Sequence, residues 1–455
     1  MTKNNILLAL AIVIYGIFFI PNWDIHIQAL GALLVVQILW IGRVFPLAFS
    51  SLILILILSF HFFTYDETLS YFGSSLVWLL FSTFILSYAF IKTGLASRVS
   101  LKILALAKGS SKALIFVSFM MEFVLTVFIP SNIGKGQLVS SILNDLINNL
   151  RKIQETENLG KSLFIGIAYV SAISAAFVPT GASSTIYAYG MFSSVSDQIN
   201  YFTWILYIGV PIVVFILILW VIFLSKFPVH KVNFNLVNNL INSKMKELGN
   251  WKPEEIRMAI IIGLTLSLWL TQPIHHQPIP LIGLLGAVFV VLPYIGVMNW
   301  DEAKKGINWD MMIFFAATLM LSNMLIETGT LNGLTNLISQ SSQNHSNIYI
   351  IISFIIVTSL IRIVFVNVLG FLTIMLPLAI TLGQQIEFSP LLLAMGVYLA
   401  GVPGFLLITQ SPVHLISYSY HHFETRDLLK SGVIALPIWL VIIISSIFLY
   451  WSLII

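Results

Sequence analysis

Apolar runs of about twenty residues recur along this chain, each long enough to cross a hydrocarbon core of ~30 Å. Two of them read WILYIGVPIVVFILILWVIFL, from Trp204 to Leu224, and VIALPIWLVIIISSIFLYWSLII, from Val433 to Ile455. Hydrophobic residues make up 58% of the 455 positions and charged residues 9%, where a soluble domain carries roughly a quarter charged residues. The pattern predicts an all-α integral membrane protein. It is too long and too repetitive for a signal peptide, and a first span follows Lys3 without a clear cleavage site. With no cysteine in the chain, disulfides, Cys-ligated zinc and iron–sulfur clusters are excluded. The net charge of +4 is no nucleic-acid signal, because the basic residues sit in loops between apolar runs.

Those loops predict orientation, since Lys and Arg collect on the cytoplasmic side of membranes. Lys3, Arg43, the group from Lys92 to Lys112, Arg151 with Lys152 and Lys161, the polar stretch 226–256, Lys304 with Lys305, and Arg426 with Lys430 are assigned to the cytoplasm. The loops between hold acids but no Lys or Arg: Asp24, Asp66 with Glu67, Asp197, Glu327 and Glu387. The alternation predicts about eleven transmembrane helices, with the N-terminus cytoplasmic, in the plasma membrane. Two apolar segments, about 113–150 and 347–387, begin and end on one side. They are expected to be re-entrant helical hairpins, whose non-helical tips survive only under protein or beside a water-filled cavity.

The chain also repeats itself. Leu86, Ser87, Ile91, Thr93 and Gly94 match Leu321, Ser322, Ile326, Thr328 and Gly329 at one offset, which also carries Asn132 onto Asn367. The lysine pattern puts the two copies on opposite sides, so the expectation is an inverted repeat, as in secondary transporters with a site near the midplane. Its predicted parts are an N-terminal span and outer loop (1–27) and a first repeat (28–225) with hairpin 113–150 and broken helix 163–192. A cytoplasmic connection (226–256) leads to a second repeat (257–455) with hairpin 347–387 and broken helix 390–420.

The first tip reads VFIPSNIGKGQLVSS, from Val127 to Ser141. Pro130 ends one helix, and Gly134 and Gly136 let backbone approach a ligand. Helix N-termini attract anions, and Asn132 and Asn367 add amide donors. Either asparagine could instead cap its own hairpin; the aligned pair favours a site. Lys135 is costly at membrane depth. It either binds a substrate carboxylate or stands where a sodium ion would. The third possibility, snorkelling or pairing with Glu122 or Asp145, looks poor for Glu122, which lies several turns from the tip on a straight helix. Arg362 either grips a carboxylate with its planar fork or pairs with helix carbonyls. His414 is a candidate proton carrier or a hydrogen-bond partner of unwound backbone, and His421 and His422 are expected to be solvated. WDEAKKGINWD, from Trp300 to Asp310, reads as an interfacial helix.

On these residues the chain resembles the divalent anion/sodium symporters, the INDY-like di- and tricarboxylate carriers of the wider ion transporter superfamily. PSNIGKG and FVNVLGF occupy the places of that family's two Ser-Asn-Thr tips. ASSTIYAYGMF (Ala182 to Phe192) and SPVHLISYSYHHFETRDLLKSG (Ser411 to Gly432) occupy those of its broken helices. The resemblance implies elevator transport by a homodimer in the lipid bilayer, with Ser131, Asn132, Asn367, Thr185 and His414 at the family's substrate-site positions; Lys135 and Arg362 join the expected site as basic residues at membrane depth. Hydroxyls and amides that contact substrate and help cage sodium in the family are fewer here: Ile133 replaces a threonine, Val366 and Val368 flank Asn367, and Thr185 and His414 stand for the turn asparagines. The expected function is therefore secondary transport of a small organic anion, a di- or tricarboxylate, without a sodium requirement and dependent on Lys135. Rival readings are an inorganic-anion carrier, a proton/cation antiporter, and a non-transporting sensor. No Gly-x-Ser-x-Gly, paired intramembrane aspartates or His-Glu-x-x-His occurs, so no enzyme, organic cofactor or metal centre is expected; the coupling ion stays open.

Overall fold

A computed structural model of the chain describes residues 3–21, 23–108, 110–129, 131–229, 234–341 and 345–455. Pro130 and Lys231 lie outside the described residues. Regular structure among these residues is helical. After α1 (Lys3–Phe19), a series of elements runs twice. The first pass is α2 (Ile25–Gly42), α3 (Leu47–His61), the short α4 (Tyr65–Ser70), α5 (Ser75–Lys92), α6 (Leu95–Ala105), α7 (Ser111–Phe128), α8 (Asn132–Leu150), α9 (Glu157–Ser174), α10 (Ser183–Ser193) and α11 (Tyr201–Lys226). Then α12 (Phe234–Leu248) leads to the second: α13 (Pro253–Leu270), the one-turn α14 (Gln272–His275), α15 (Ile279–Val291), the short α16 (Trp300–Gly306), α17 (Trp309–Glu327), α18 (Thr330–Ser341), α19 (Asn347–Ile361), α20 (Val368–Gln385), α21 (Pro390–Gly401), α22 (Pro412–Tyr418) and α23 (Thr425–Ser445). The last helix continues through a π turn to α24 (Ser452–Ile454).

Seven of the described helices are at least 18 residues long and apolar enough to cross a membrane, and five more apolar helices are shorter. Their outer faces carry unpartnered hydrocarbon: Ile12, Leu56, Val221 and Val441 are each more than half exposed. Such faces suit lipid rather than water.

Packing follows the repeat. α5 packs on α15 as α3 packs on α17, so each half completes the other's helix pair. The second arm of each hairpin lies against the broken helix of the opposite half, α8 on α22 and α20 on α10. Gly94 and Gly329 both turn the chain with positive φ, 87° and 70°, a conformation that L side chains disfavour. Both expected hairpins are present, α7–α8 and α19–α20. Residues 175–182 separate α9 from α10, and 402–411 separate α21 from α22. The repeat-related connectors are α6 and α18, which join α5 and α17 to the two hairpins. α16 is a separate seven-residue helix closed by an Asn299–Glu302 capping box, and the Lys92 ammonium pairs with Glu302 at 2.5 Å. That ion pair holds the Glu302 carboxyl below its ordinary range, chiefly through its hydrogen bond with Lys92.

Candidate functional site

Four helices begin at one place. The N-terminal residues of α8 (Asn132, Ile133), α10 (Ser183, Ser184), α20 (Val368, Leu369, Gly370) and α22 (Pro412, Val413) line a single cavity of about 570 Å³. Local caps fix three of these starts. Ser131 Oγ accepts from the Gly134 N–H at 3.2 Å. Asn367 Oδ1 accepts from Leu369 and Gly370 at 2.9 and 3.4 Å. Ser411 Oγ accepts from Val413 at 3.3 Å. Each start concentrates about half a positive charge from its aligned peptide dipoles. Among the described lining residues none is acidic, and Arg43 is the one charged residue. The arrangement can hold a small anion by oriented N–H groups and dipoles.

Three of the residues singled out from sequence meet here: Ser131, Asn132 and Asn367. Asn132 Oδ1 has no hydrogen-bond partner, so that side chain is free to serve a ligand or water. Asn367 spends its carbonyl on its own helix and keeps its amide. The other four lie behind the lining. Thr185 is buried; its hydroxyl donates to the Ala175 carbonyl at 3.0 Å and accepts from Tyr398 at 2.9 Å. The His414 ring Nδ1 meets the Leu407 carbonyl at 3.0 Å, securing unwound backbone. Arg362 is buried and forks onto backbone carbonyls: Gly401 at 2.7 Å, Gln410 at 3.1 Å, and Phe365. It ties the second hairpin tip to the second break, and its fork is spent on carbonyls.

Lys135 is also fully buried. Its ammonium donates to Thr126 Oγ1, to Ser174 Oγ at 2.8 Å and to the Ser171 carbonyl at 3.1 Å. Glu122 Oε2 lies 3.7 Å away. The expectation that Glu122 is out of reach is therefore corrected. The hairpin folds α8 back along α7, so sequence distance from the tip on each arm subtracts rather than adds. Asp145 pairs with Lys244 at 2.6 Å instead. His422 is likewise not fully solvated: it packs on Phe164 and meets Asn144 Oδ1 at 2.8 Å. Burial, with the charges of Arg151 and His421, pushes it down to about 4.

Sequence reasoning missed the wall facing the tips. Gln37, Trp40 and Arg43 of α2 and its C-cap line the cavity, and both polar atoms of Gln37 and Trp40 Nε1 lack partners. The spacing of three residues along one helix face was the available signal.

Two hairpin tips and two broken helices converge on a cavity whose described lining holds no acid, in an apolar helical bundle, an arrangement suited to a membrane transport protein. The chain belongs to the family described as "Sodium:sulfate symporter transmembrane region", whose model matches residues 1–455. It is similar to the sodium-dependent dicarboxylate transporter SdcS of Staphylococcus saprophyticus, 24% identical over 420 residues, covering 86% of this chain and 80% of that one. It is also similar to YflS of Bacillus subtilis, named for malate transport, at 27% identity over 292 residues, 62% of this chain and 60% of YflS. Among solved structures, the YdaH transporter of Alcanivorax borkumensis shares the fold with a TM-score of 0.53 at 10% identity, over 85% of this chain and 87% of that one.

Proposed function

We propose that this protein is a secondary carrier of small dicarboxylates that works without sodium. The observation that carries the reading is the convergence of four helix N-termini on one cavity whose described lining holds no acid. Such a cavity favours a compact polyanion, because each carboxylate can accept several backbone N–H bonds near the positive end of a dipole. The names of SdcS and YflS point to dicarboxylates and malate. Sodium independence departs from the name of SdcS and rests on Lys135. Sodium binding needs a cluster of oxygen ligands, and here an ammonium occupies three oxygens behind the first tip. Movement is by an elevator: the hairpins, broken helices, α11 and α23 shift as a body against α2, α3, α5, α13, α15 and α17. The N-terminus and the mouth beside Arg43 face the cytoplasm, as the distribution of Lys and Arg favours, and the membrane is the plasma membrane.

Counterflow of labelled succinate into proteoliposomes, with sodium replaced by choline, tests the reading. Wild type should exchange label under these conditions. Asn132→Ala and Asn367→Ala should each raise the half-saturating concentration about tenfold or more, since a hydrogen bond to a charged group contributes ~1.5–3 kcal/mol. A strict sodium requirement would sink the ion-free mechanism. Wild-type behaviour in both alanine variants would move the site away from the tips, and preference for labelled sulfate over succinate would change the substrate class.

A further inference from the structure

We propose that Glu122 is a proton-binding site that couples transport to the proton gradient, by unmasking the charge of Lys135 when it is protonated. The inference rests on the carrier reading above and adds the coupling ion. Glu122 lies on α7 with its carboxylate wholly buried, and neither of its oxygens accepts a close hydrogen bond, the Ser171 hydroxyl and the Lys135 ammonium being the polar groups that act on it. Its neighbour Lys135 is 3.7 Å away, an ion pair without a hydrogen bond. An ammonium has three N–H donors, and those of Lys135 are committed to Thr126, Ser171 and Ser174. The two members of the pair therefore differ. Lys135 cannot give up a proton without orphaning a buried acceptor. Glu122 can gain or lose one without breaking any hydrogen bond. The carboxylate is the member that exchanges protons.

The charge consequences follow from position. With Glu122 ionised the pair is neutral. With Glu122 protonated, one positive charge remains on the first turn of α8, about 4.5 Å along the axis from Asn132, which lines the anion cavity. Anion and proton then favour each other's binding, and linkage makes the effect reciprocal. Lys135 is the one charged group acting on Glu122 among the described residues. Of the elements packed on α7, α9 presents the hydroxyls of Ser171 and Ser174. The charges of α5 and α6 are engaged elsewhere, Lys92 with Glu302, Arg98 with Glu255 and Lys102 over the Trp251 ring, and Lys226 of α11 lies near Asp427 and Lys430. Ser171 connects the pair to the tip, its hydroxyl reaching the Asn132 carbonyl at 3.5 Å. A proton taken from water at the cavity attaches to a Glu122 oxygen, crosses with the bound dianion, and is returned to water on the other side.

The test uses proteoliposomes loaded with a trapped pH-sensitive dye. In wild type, an inward succinate gradient should acidify the lumen, and the half-saturating concentration should fall about tenfold from mildly alkaline to mildly acidic medium, within the usual range of coupling. Glu122→Gln, which fixes the neutral form, should still exchange labelled succinate but produce no protein-dependent acidification, and its half-saturating concentration should lose that response to pH. Succinate's own protonation is common to both proteins, so the difference between them reports on Glu122. Wild-type uptake without acidification overturns the proposal and needs no variant. Identical proton flux in Glu122→Gln overturns it as well. A wild type that exchanges no labelled dicarboxylate overturns the carrier reading, and this one with it.

Discussion

Arg43 is the residue whose place in the cavity decides most about approach. It caps α2 in the left-handed conformation, φ 50° and ψ 43°, with its backbone N–H donating to the Leu39 carbonyl. No hydrogen bond or ion pair engages its guanidinium among the described residues, and the side chain is exposed at the cavity lining. An exposed charge steers a ligand more than it holds one, and salt screens it. Arg43→Gln should raise the half-saturating concentration of a dianion about two- to fivefold and flatten its dependence on ionic strength, while Arg43→Lys keeps both near wild type. Initial rates of labelled succinate uptake across a salt series measure this. Identical salt dependence in Arg43→Gln would remove the residue from the path.

At the scale of elements, the question is how two breaks in buried helices keep their backbone satisfied. A free carbonyl at that depth costs a few kcal/mol. Indoles on the last long helix of each half solve part of it: Trp204 Nε1 donates to Ala176 at 2.9 Å, and Trp439 Nε1 to Leu399 at 2.9 Å. Tyrosines of the broken helices serve the opposite half. Tyr169 donates to the Phe405 and Leu428 carbonyls, at 2.9 and 2.6 Å, and Tyr398 donates to Thr185. Gly432 lets α23 approach the second break: a Cβ there would lie 2.0 Å from the Phe405 carbonyl oxygen. Tyr169→Phe leaves the Phe405 carbonyl of the break without its donor, while the Leu428 carbonyl lies within α23, and should destabilise the fold by about 1–3 kcal/mol. Tyr398→Phe, which strands only a hydroxyl that can turn elsewhere, should cost about half as much or less. Unfolding temperatures in detergent would show the order, and an equal or reversed order would contradict this account of the breaks.

For the whole molecule, transport by an elevator requires relative motion between the hairpin–broken-helix body and the remaining helices. The chain lacks cysteine, so a single introduced pair can probe that motion. A Cβ on Gly190 of α10 would lie 2.3 Å from Leu76 Cδ1 of α5, which places the two residues within disulfide reach once the leucine is shortened. Leu76→Cys with Gly190→Cys should lose succinate uptake on oxidation and regain it on reduction. Full uptake by the oxidised, crosslinked protein would show that these two helices do not move apart, and the elevator would fail.

The membrane class, the two hairpins and the duplication were legible in the sequence, because they are one-dimensional signals. Apolar run length, Gly and Pro positions and a constant offset survive without knowing what packs on what. The constant offset also aligns Asn132 with Asn367, but their local roles differ: Asn367 caps α20, whereas Ser131 caps α8 and leaves Asn132 Oδ1 without a partner. What Lys135, Arg362, Thr185 and His414 do was decided only by the tertiary structure. Membrane depth marked them as unusual, but a buried polar group's role is set by which acceptor the folded chain brings within 3 Å. For these four the nearest acceptors are hydroxyls and carbonyls of the hairpins and of the broken helices. The pairing of Lys135 with Glu122 was hidden for a related reason. Helical rise predicts distance along one helix, whereas a hairpin reverses direction and brings residues 13 positions apart to within one ion pair.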